Sequence, residues 1–118
     1  MKNRSFWARF GYAVAGIRTV FRNERSFRTQ CIWAFIAAVF VVILRPGWLW
    51  AAIIGIMVVL VLALELVNSA LEALIDRVHP EIAPEIKIAK DAAAGAVLIA
   101  SLGALVVGAL MITDRIGL

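Results

Sequence analysis

Long hydrophobic runs, broken at few points by charged residues, dominate this chain and predict helices that cross a membrane. Residues 92–113 contain no charged side chain, and a bilayer-spanning helix needs roughly 20 apolar residues. Residues 48–72 form a second predicted span, with charged side chains only near its end. Residues 26–44 form another, which Arg45-Pro46-Gly47 terminates because proline and glycine interrupt helices. The pattern therefore predicts three transmembrane helices.

The first 25 residues have a different pattern, in which apolar and basic residues alternate at helical spacing. The apolar positions are Phe6, Trp7, Phe10, Val14, Ile17 and Phe21, and the arginines among them are Arg4, Arg9, Arg18, Arg22 and Arg25. This pattern is typical of an amphipathic helix that lies in the membrane interface. We reject a cleaved signal peptide because the apolar run is interrupted. The predicted fold is an all-α membrane protein of one domain, residues 1–118, with an interfacial helix over residues 1–25.

Composition supports a membrane protein, and the distribution of charge predicts its orientation. Hydrophobic residues make up 64% of the chain, and soluble domains average roughly 45–50%. All but two of the 12 Lys and Arg residues fall within residues 1–28 and 73–91, the exceptions being Arg45 and Arg115. The positive-inside rule then places the N-terminus and the 73–91 loop in the cytoplasm and the C-terminus outside. We expect no nucleic-acid partner, because no nucleic-acid-binding motif accompanies the basic charge.

Two acids interrupt the second predicted span. Glu65 and Glu72 lie in its apolar sequence, with Asn68 between them and Asp76 one turn beyond. In a helix this spacing stacks all four side chains on one face. Ionisable groups within a membrane are expensive and usually face a bundle interior or a wet cavity, which makes them functional candidates.

The same predicted boundary gathers polar residues from other segments. Glu24 ends the interfacial helix, and Lys90-Asp91 begin the last span. Carboxylates suit Mg²⁺, which takes oxygen ligands and substrate phosphates, and a lysine beside them suits a phosphate chain. The combination predicts a nucleotide with its metal. His79 lacks a second ligand at metal-binding spacing and is predicted to be a loop residue without a role.

Several of these segments together carry a family resemblance that covers almost the whole chain. They are Glu65-Leu-Val-Asn68-Ser-Ala-Leu-Glu72-Ala-Leu-Ile-Asp76 and Ala89-Lys90-Asp91-Ala-Ala-Ala-Gly95-Ala-Val-Leu, with Gly11-Tyr12 and Asn23-Glu24-Arg-Ser-Phe27-Arg28 upstream. The paired motif resembles the signature of the prokaryotic diacylglycerol kinase family, which includes the undecaprenol kinases. The resemblance implies an ATP- and Mg²⁺-dependent lipid kinase of the bacterial cytoplasmic (inner) membrane. It also implies a homotrimer whose subunits share active sites, with the C-terminus periplasmic or extracellular.

The resemblance also implies a role for each matching residue. Glu65 corresponds to the general base that takes the proton from the lipid hydroxyl, and Glu24 and Glu72 correspond to the metal-binding carboxylates. The implied nucleotide contacts are Tyr12, Glu24, Asn68, Glu72, Glu81, Lys90 and Asp91. The implied contacts with the lipid acceptor are Phe27, Arg28, Glu65 and Ala94. Ala93-Ala94 occupy the positions at which members acting on diacylglycerol often carry Gly-Ser. This difference slightly favours undecaprenol as the lipid acceptor, and diacylglycerol remains an alternative.

Three other interpretations remain open. A small proton-coupled multidrug exporter would also use a membrane-embedded glutamate, although such exporters usually have four spans and Lys90 would repel a cationic substrate. An accessory subunit that only packs against a larger complex would bind no ATP. A structural reading would make Glu65, Asn68 and Glu72 a polar seam between helices, and would pair Glu24 with neighbouring arginines on the surface.

Overall fold

Four α-helices account for nearly all of the chain in the computed structural model, which describes residues 5–117. They are α1 (Phe6–Asn23), α2 (Arg25–Leu44), α3 (Trp48–Val78) and α4 (Pro84–Ile116). No strand occurs among the described residues, so the predicted all-α class is confirmed. Residues 1–4 of the predicted interfacial helix, Arg4 among them, lie outside this range.

α1 corresponds to the predicted interfacial helix. Ser5 caps its N-terminus, where the hydroxyl oxygen accepts a hydrogen bond from the backbone N of Ala8 at 3.2 Å. The helix ends at Asn23 because the next residue, Glu24, is extended (φ −113°, ψ 111°). No residue of α1 is buried. Its first turn carries an exposed aromatic cluster of Phe6, Trp7 and Phe10, the surface expected of a helix that meets a membrane interface.

The other three helices are long and apolar enough to cross a membrane, which confirms the three predicted spans. Few of their side chains are buried. The buried apolar residues are Phe27, Ile54, Val61, Val97, Ala100 and Met111. Large aliphatic and aromatic side chains on all three helices stay exposed. A soluble bundle would turn one apolar stripe of each helix inward and a polar face outward, so this surface requires a cover of lipid or protein.

The connection between the last two spans is shorter than predicted. The sequence pattern predicts a loop over residues 73–91. Instead α3 continues to Val78 and α4 begins at Pro84, so only residues 79–83 lie between the helices. A proline suits the first helical position because its fixed φ matches the helix and its missing N–H would be unpaired there anyway. Lys90-Asp91 therefore lie nearly two turns inside α4 and not at its start.

α3 is the central helix of the bundle. It packs most extensively against α4 and also against α2, whereas α2 and α4 contact each other little. Gly103 permits the close approach of α4, because a Cβ atom there would lie 3.3 Å from Cε of Met57. An apolar groove of about 610 Å³ lies between α2, α3 and α4, and residues of all three helices line it.

Polar contacts join the three spanning helices at the end that holds the α2–α3 turn. Trp50 Nε1 donates to Asp114 Oδ2 at 2.9 Å, and Arg115 Nε donates to the carbonyl oxygen of Leu44. The first contact ties the beginning of α3 to the end of α4, and the second ties α4 to α2. This end of the bundle is thus held by contacts between helices that the sequence pattern did not predict.

Trp50→Phe should lower the free energy of unfolding by about 0.5–1.5 kcal/mol, because it keeps an aromatic ring but removes the donor to Asp114. Denaturant unfolding in detergent micelles measures this effect. Trp48→Phe is the matched control, because Trp48 is 78% exposed and makes no side-chain hydrogen bond within residues 5–117. An equal loss of unfolding free energy in the two variants would contradict a stabilising hydrogen bond between Trp50 and Asp114.

Candidate functional site

Polar side chains concentrate at the opposite end of the bundle, where α3 ends and α4 begins. α3 carries Glu65, Asn68, Glu72 and Asp76 at helical spacing on one face. The first two turns of α4 carry Lys87, Lys90 and Asp91, and α2 contributes Ser26. The predicted convergence of α3 and α4 on one boundary is therefore present within a single subunit.

Glu65 is a buried carboxylate in an apolar segment. Its side chain is 5% exposed, and Ser26 Oγ on α2 donates to its Oε2 atom at 3.3 Å. A buried carboxylate is costly unless polar partners or a function compensate for its lost hydration. Sequence reasoning identified Glu65 but missed Ser26, because no local spacing relates residues that lie on different helices.

Asn68 and Glu72 form a second polar unit one turn further along α3. Asn68 Nδ2 donates to Glu72 Oε1 at 3.3 Å. Asn68 Oδ1 is the one buried side-chain N or O atom without a hydrogen-bond partner in the described part of the chain. Such an orphaned acceptor costs about 1–3 kcal/mol, so it points to a missing water, ligand or ion.

The oxygen atoms of Asn68 and Glu72 suit Mg²⁺, which prefers a few protein oxygens completed by water and substrate phosphates. Within residues 5–117, no three His, Cys, Asp or Glu side chains come together as a metal site. Asn68 Oδ1 and the Glu72 carboxylate are thus the oxygen atoms of this polar unit that could contribute to a magnesium site.

Two lysines on α4 are paired with acids. Lys90 Nζ lies 2.5 Å from Asp76 Oδ1 on α3, and Lys87 Nζ lies 2.7 Å from Asp91 Oδ2. The hydrogen bond to Asp76, with the nearby charges of Asp76 and Glu72, raises the pKa of the Lys90 ammonium above its ordinary value. The hydrogen bond to Asp91 likewise raises the pKa of Lys87. Both lysines therefore carry a positive charge at neutral pH.

A cavity of about 230 Å³ lies between the end of α3, the connection and the start of α4. It brings together three of the predicted nucleotide contacts, Glu81, Lys90 and Asp91. His79, which the sequence analysis left without a role, also lines it. Its Nδ1 donates to the carbonyl oxygen of Glu81 at 2.9 Å. The cavity wall thus carries the two ammonium groups together with the carboxylates of Asp76, Glu81 and Asp91. Lysines suit phosphate oxygens, and carboxylates suit a metal ion that accompanies phosphate.

The corner between α1 and α2 is built by residues that the sequence analysis placed at the lipid acceptor. Arg28 Nη1 donates to the carbonyl oxygens of Phe21 and Arg22 at 2.8 Å each, which satisfies carbonyls in the last turn of α1. Phe27 is buried and packs edge-on against Phe21, with ring centroids 6.4 Å apart. These contacts set the geometry of the corner that carries Glu24 and Ser26. The predicted contact of Phe27 and Arg28 with lipid stays a prediction.

Three predicted site residues are not joined to this cluster. Tyr12 and Ala94 are exposed and Glu24 is half-buried. Among residues 5–117, no side-chain hydrogen bond or ion pair links any of the three to another site residue. The alternative reading of Glu24 as a partner of neighbouring arginines is not found there either. Their assignments to nucleotide, lipid and metal remain predictions.

Comparison with known proteins identifies relatives along most of the chain. A model of the family described as prokaryotic diacylglycerol kinase matches residues 11–112. A diacylglycerol kinase of Synechocystis sp. is 37% identical over 84% of this chain and 57% of its own length. A diacylglycerol kinase of Escherichia coli strain K12 is 31% identical over 91% of this chain and 88% of its own length. One of Haemophilus influenzae is 35% identical over 75% of each chain.

Proposed function

The chain belongs to the prokaryotic diacylglycerol kinase family, and we propose that it transfers the γ-phosphoryl group of ATP to the hydroxyl of a membrane lipid alcohol. The observation that carries this proposal is the buried Glu65 carboxylate in a membrane-spanning helix. It lies on the same α3 face as the acids that lead to the Lys90 cavity. A carboxylate within the bilayer and a polar cavity at its boundary, lined by lysines and acids, suit a lipid acceptor and a soluble phosphate donor with its metal ion.

Glu65 acts as the general base. It accepts the proton of the acceptor hydroxyl as that oxygen attacks the γ-phosphorus, and ADP departs. Phosphoryl transfer needs positioning and charge neutralisation more than covalent assistance, so one carboxylate aimed at the hydroxyl supplies the proton chemistry. Lys90 donates to phosphate oxygens as a point charge. Glu81 and Asp91 line the same cavity, while Tyr12 is proposed to contact the nucleotide from α1.

The proposed metal is Mg²⁺. Glu72 and the unpartnered Asn68 Oδ1 would hold it, with Glu24 as the further carboxylate. When bound with ATP, the ion neutralises charge that develops on the phosphate oxygens. The family resemblance implies a homotrimer, and the Glu24 carboxylate has no hydrogen-bond or ion-pair partner among residues 5–117. We therefore propose that α1–α2 corners complete the sites of neighbouring subunits.

The proposed acceptor is either undecaprenol or diacylglycerol. The apolar groove of about 610 Å³ includes Gln30 and Leu62, which lie about one helical turn from Ser26 and Glu65. A hydrocarbon chain in this groove would place its hydroxyl end near the base. The names of the relatives favour diacylglycerol, whereas Ala93-Ala94 favour undecaprenol. The nucleotide side is proposed to face the cytoplasm, as the distribution of Lys and Arg predicts.

The deciding experiment is transfer of labelled γ-phosphate from ATP to lipid by the purified protein in mixed micelles, with diacylglycerol and undecaprenol offered separately. Labelled lipid would establish the kinase and identify its preferred acceptor. A folded protein that labels neither lipid in the presence of Mg²⁺ would contradict the proposal. A proton-coupled exporter is less favoured for two reasons. Helices α2, α3 and α4 provide three spans, whereas such exporters usually have four, and the acids on α3 lie near Lys90, which would repel a cationic substrate.

Lys90→Met should raise the KM for ATP by about 10-fold or more, because a charge-assisted hydrogen bond to phosphate is lost. Its exposed ion pair with Asp76 contributes little to folding, so stability should change only slightly. Arg77→Met is the control, since Arg77 is an exposed cation at the end of α3 that does not line the cavity, and it is expected to change the KM less than threefold. Steady-state kinetics with varied ATP measure both values, and equal effects would contradict the special role of Lys90.

A further inference from the structure

The hydrogen bond between α2 and α3 at Glu65 involves a residue with no role in the proposed mechanism. Ser26 Oγ donates to Glu65 Oε2 at 3.3 Å. The Oε1 atom accepts no hydrogen bond within residues 5–117 and is not among the buried atoms lacking a partner there. The Oε2 atom is therefore hydrogen-bonded within the protein, whereas the Oε1 atom is free to accept a hydrogen bond from a bound substrate.

Glu65 reaches Ser26 at the rim of the bundle. Although Glu65 is 5% exposed, Ser26 itself is exposed. An acceptor can approach this rim from the bilayer without opening the helix packing. Because the Ser26 hydroxyl is small and exposed, its removal leaves no cavity in the core. Its contribution to the fold is correspondingly small.

We infer that Ser26 is a positioning residue for Glu65, an inference that rests on the proposed kinase function. The glutamate side chain has several rotatable bonds, and a donor on Oε2 restricts them so that Oε1 meets the acceptor hydroxyl. Ser26 does not itself touch the transferred phosphoryl group.

The kinetic test compares Ser26→Ala and Ser26→Thr with the wild-type protein in mixed micelles. Ser26→Ala should lower kcat for lipid phosphorylation about 10-fold, because displacement of a catalytic group by about 1 Å can cost up to 10²-fold. The KM for ATP and the melting temperature should stay within error. Ser26→Thr restores a hydroxyl at the same position and should recover kcat to within about threefold. Thr29→Ala, which removes an exposed hydroxyl one turn further along α2, is the control and should behave as wild type.

A role in folding alone would lower the melting temperature or raise both KM values while leaving kcat unchanged, and that result would overturn the inference. So would an Ala variant with normal kcat, or a loss of kcat that Ser26→Thr does not recover.

A spectroscopic test does not depend on turnover. The infrared carboxylate band of Glu65, assigned as the band that Glu65→Gln removes, should shift in Ser26→Ala and return toward its wild-type position in Ser26→Thr. An unchanged band in Ser26→Ala would refute the contact. A wild-type protein that phosphorylates no lipid alcohol but shows this shift would refute the kinase proposal while leaving the Ser26–Glu65 interaction intact.

Discussion

Glu65→Gln should lower the turnover of lipid phosphorylation by about 10²- to 10⁴-fold, the contribution typical of a general base. The substitution keeps the size of the side chain and an acceptor oxygen for Ser26, but the amide cannot take the proton of the acceptor hydroxyl. The Lys90 cavity, which holds the proposed nucleotide contacts, is lined by other residues. ATP binding should therefore be retained while kcat falls.

Two measurements separate these effects: phosphoryl transfer to lipid at saturating ATP, and direct binding of a fluorescent ATP analogue. Glu85→Gln is the matched control, because Glu85 is an exposed acid in the first turn of α4 with no proposed role. It should keep wild-type turnover. Nearly normal turnover in the Glu65→Gln variant would contradict the proposed role of Glu65 as the general base. A variant that also loses ATP binding would indicate a structural defect.

Glu72→Ala should lower turnover by about 10²-fold at ordinary Mg²⁺ concentrations and move the Mg²⁺ titration to higher concentrations. The substitution removes a proposed carboxylate ligand of Mg²⁺, and a bound metal ion typically contributes several kcal/mol of charge stabilisation. Asn68 Nδ2 also loses its acceptor. This change should be accompanied by a modest decrease in the free energy of unfolding.

The measurement is initial rate against total Mg²⁺ at fixed ATP, repeated for wild type, Glu72→Ala and Glu85→Ala. Partial rescue of Glu72→Ala by high Mg²⁺ is expected, with no change in the control. An unchanged titration curve, with reduced or normal turnover, would contradict the proposed metal-binding role of Glu72.

The class of the fold and the chemically distinctive residues were predictable from the order of amino acids alone. Uncharged runs of sufficient length identify spanning helices because the bilayer requires backbone hydrogen bonds to be satisfied within each segment. The same requirement makes Glu65 and Glu72 conspicuous, since ionisable groups are rare at such depth. The helical spacing of Glu65, Asn68 and Glu72 follows from local geometry alone.

Helix boundaries at the connection were less predictable. The pattern of charged residues after Glu72 indicated a loop, but those residues are compatible with a helix once it leaves the membrane. α3 and α4 therefore extend beyond their apolar segments, to Val78 and from Pro84 respectively. Charged residues indicate where a segment leaves the hydrocarbon region of the membrane. They do not indicate where the helix ends, because the helix continues as long as its backbone hydrogen bonds are formed.

The contacts between polar groups on different helices became known from the packing of the helices. The contacts of Ser26 with Glu65, of Asp76 with Lys90 and of Trp50 with Asp114 join residues on different helices. Hydrophobic periodicity reports which face of a helix is apolar, but it carries no information on the register between two helices. That register depends on close packing, such as the approach of α4 to α3 at Gly103. The sequence thus determined the candidate base Glu65, and packing decided that a serine on α2 would hold it.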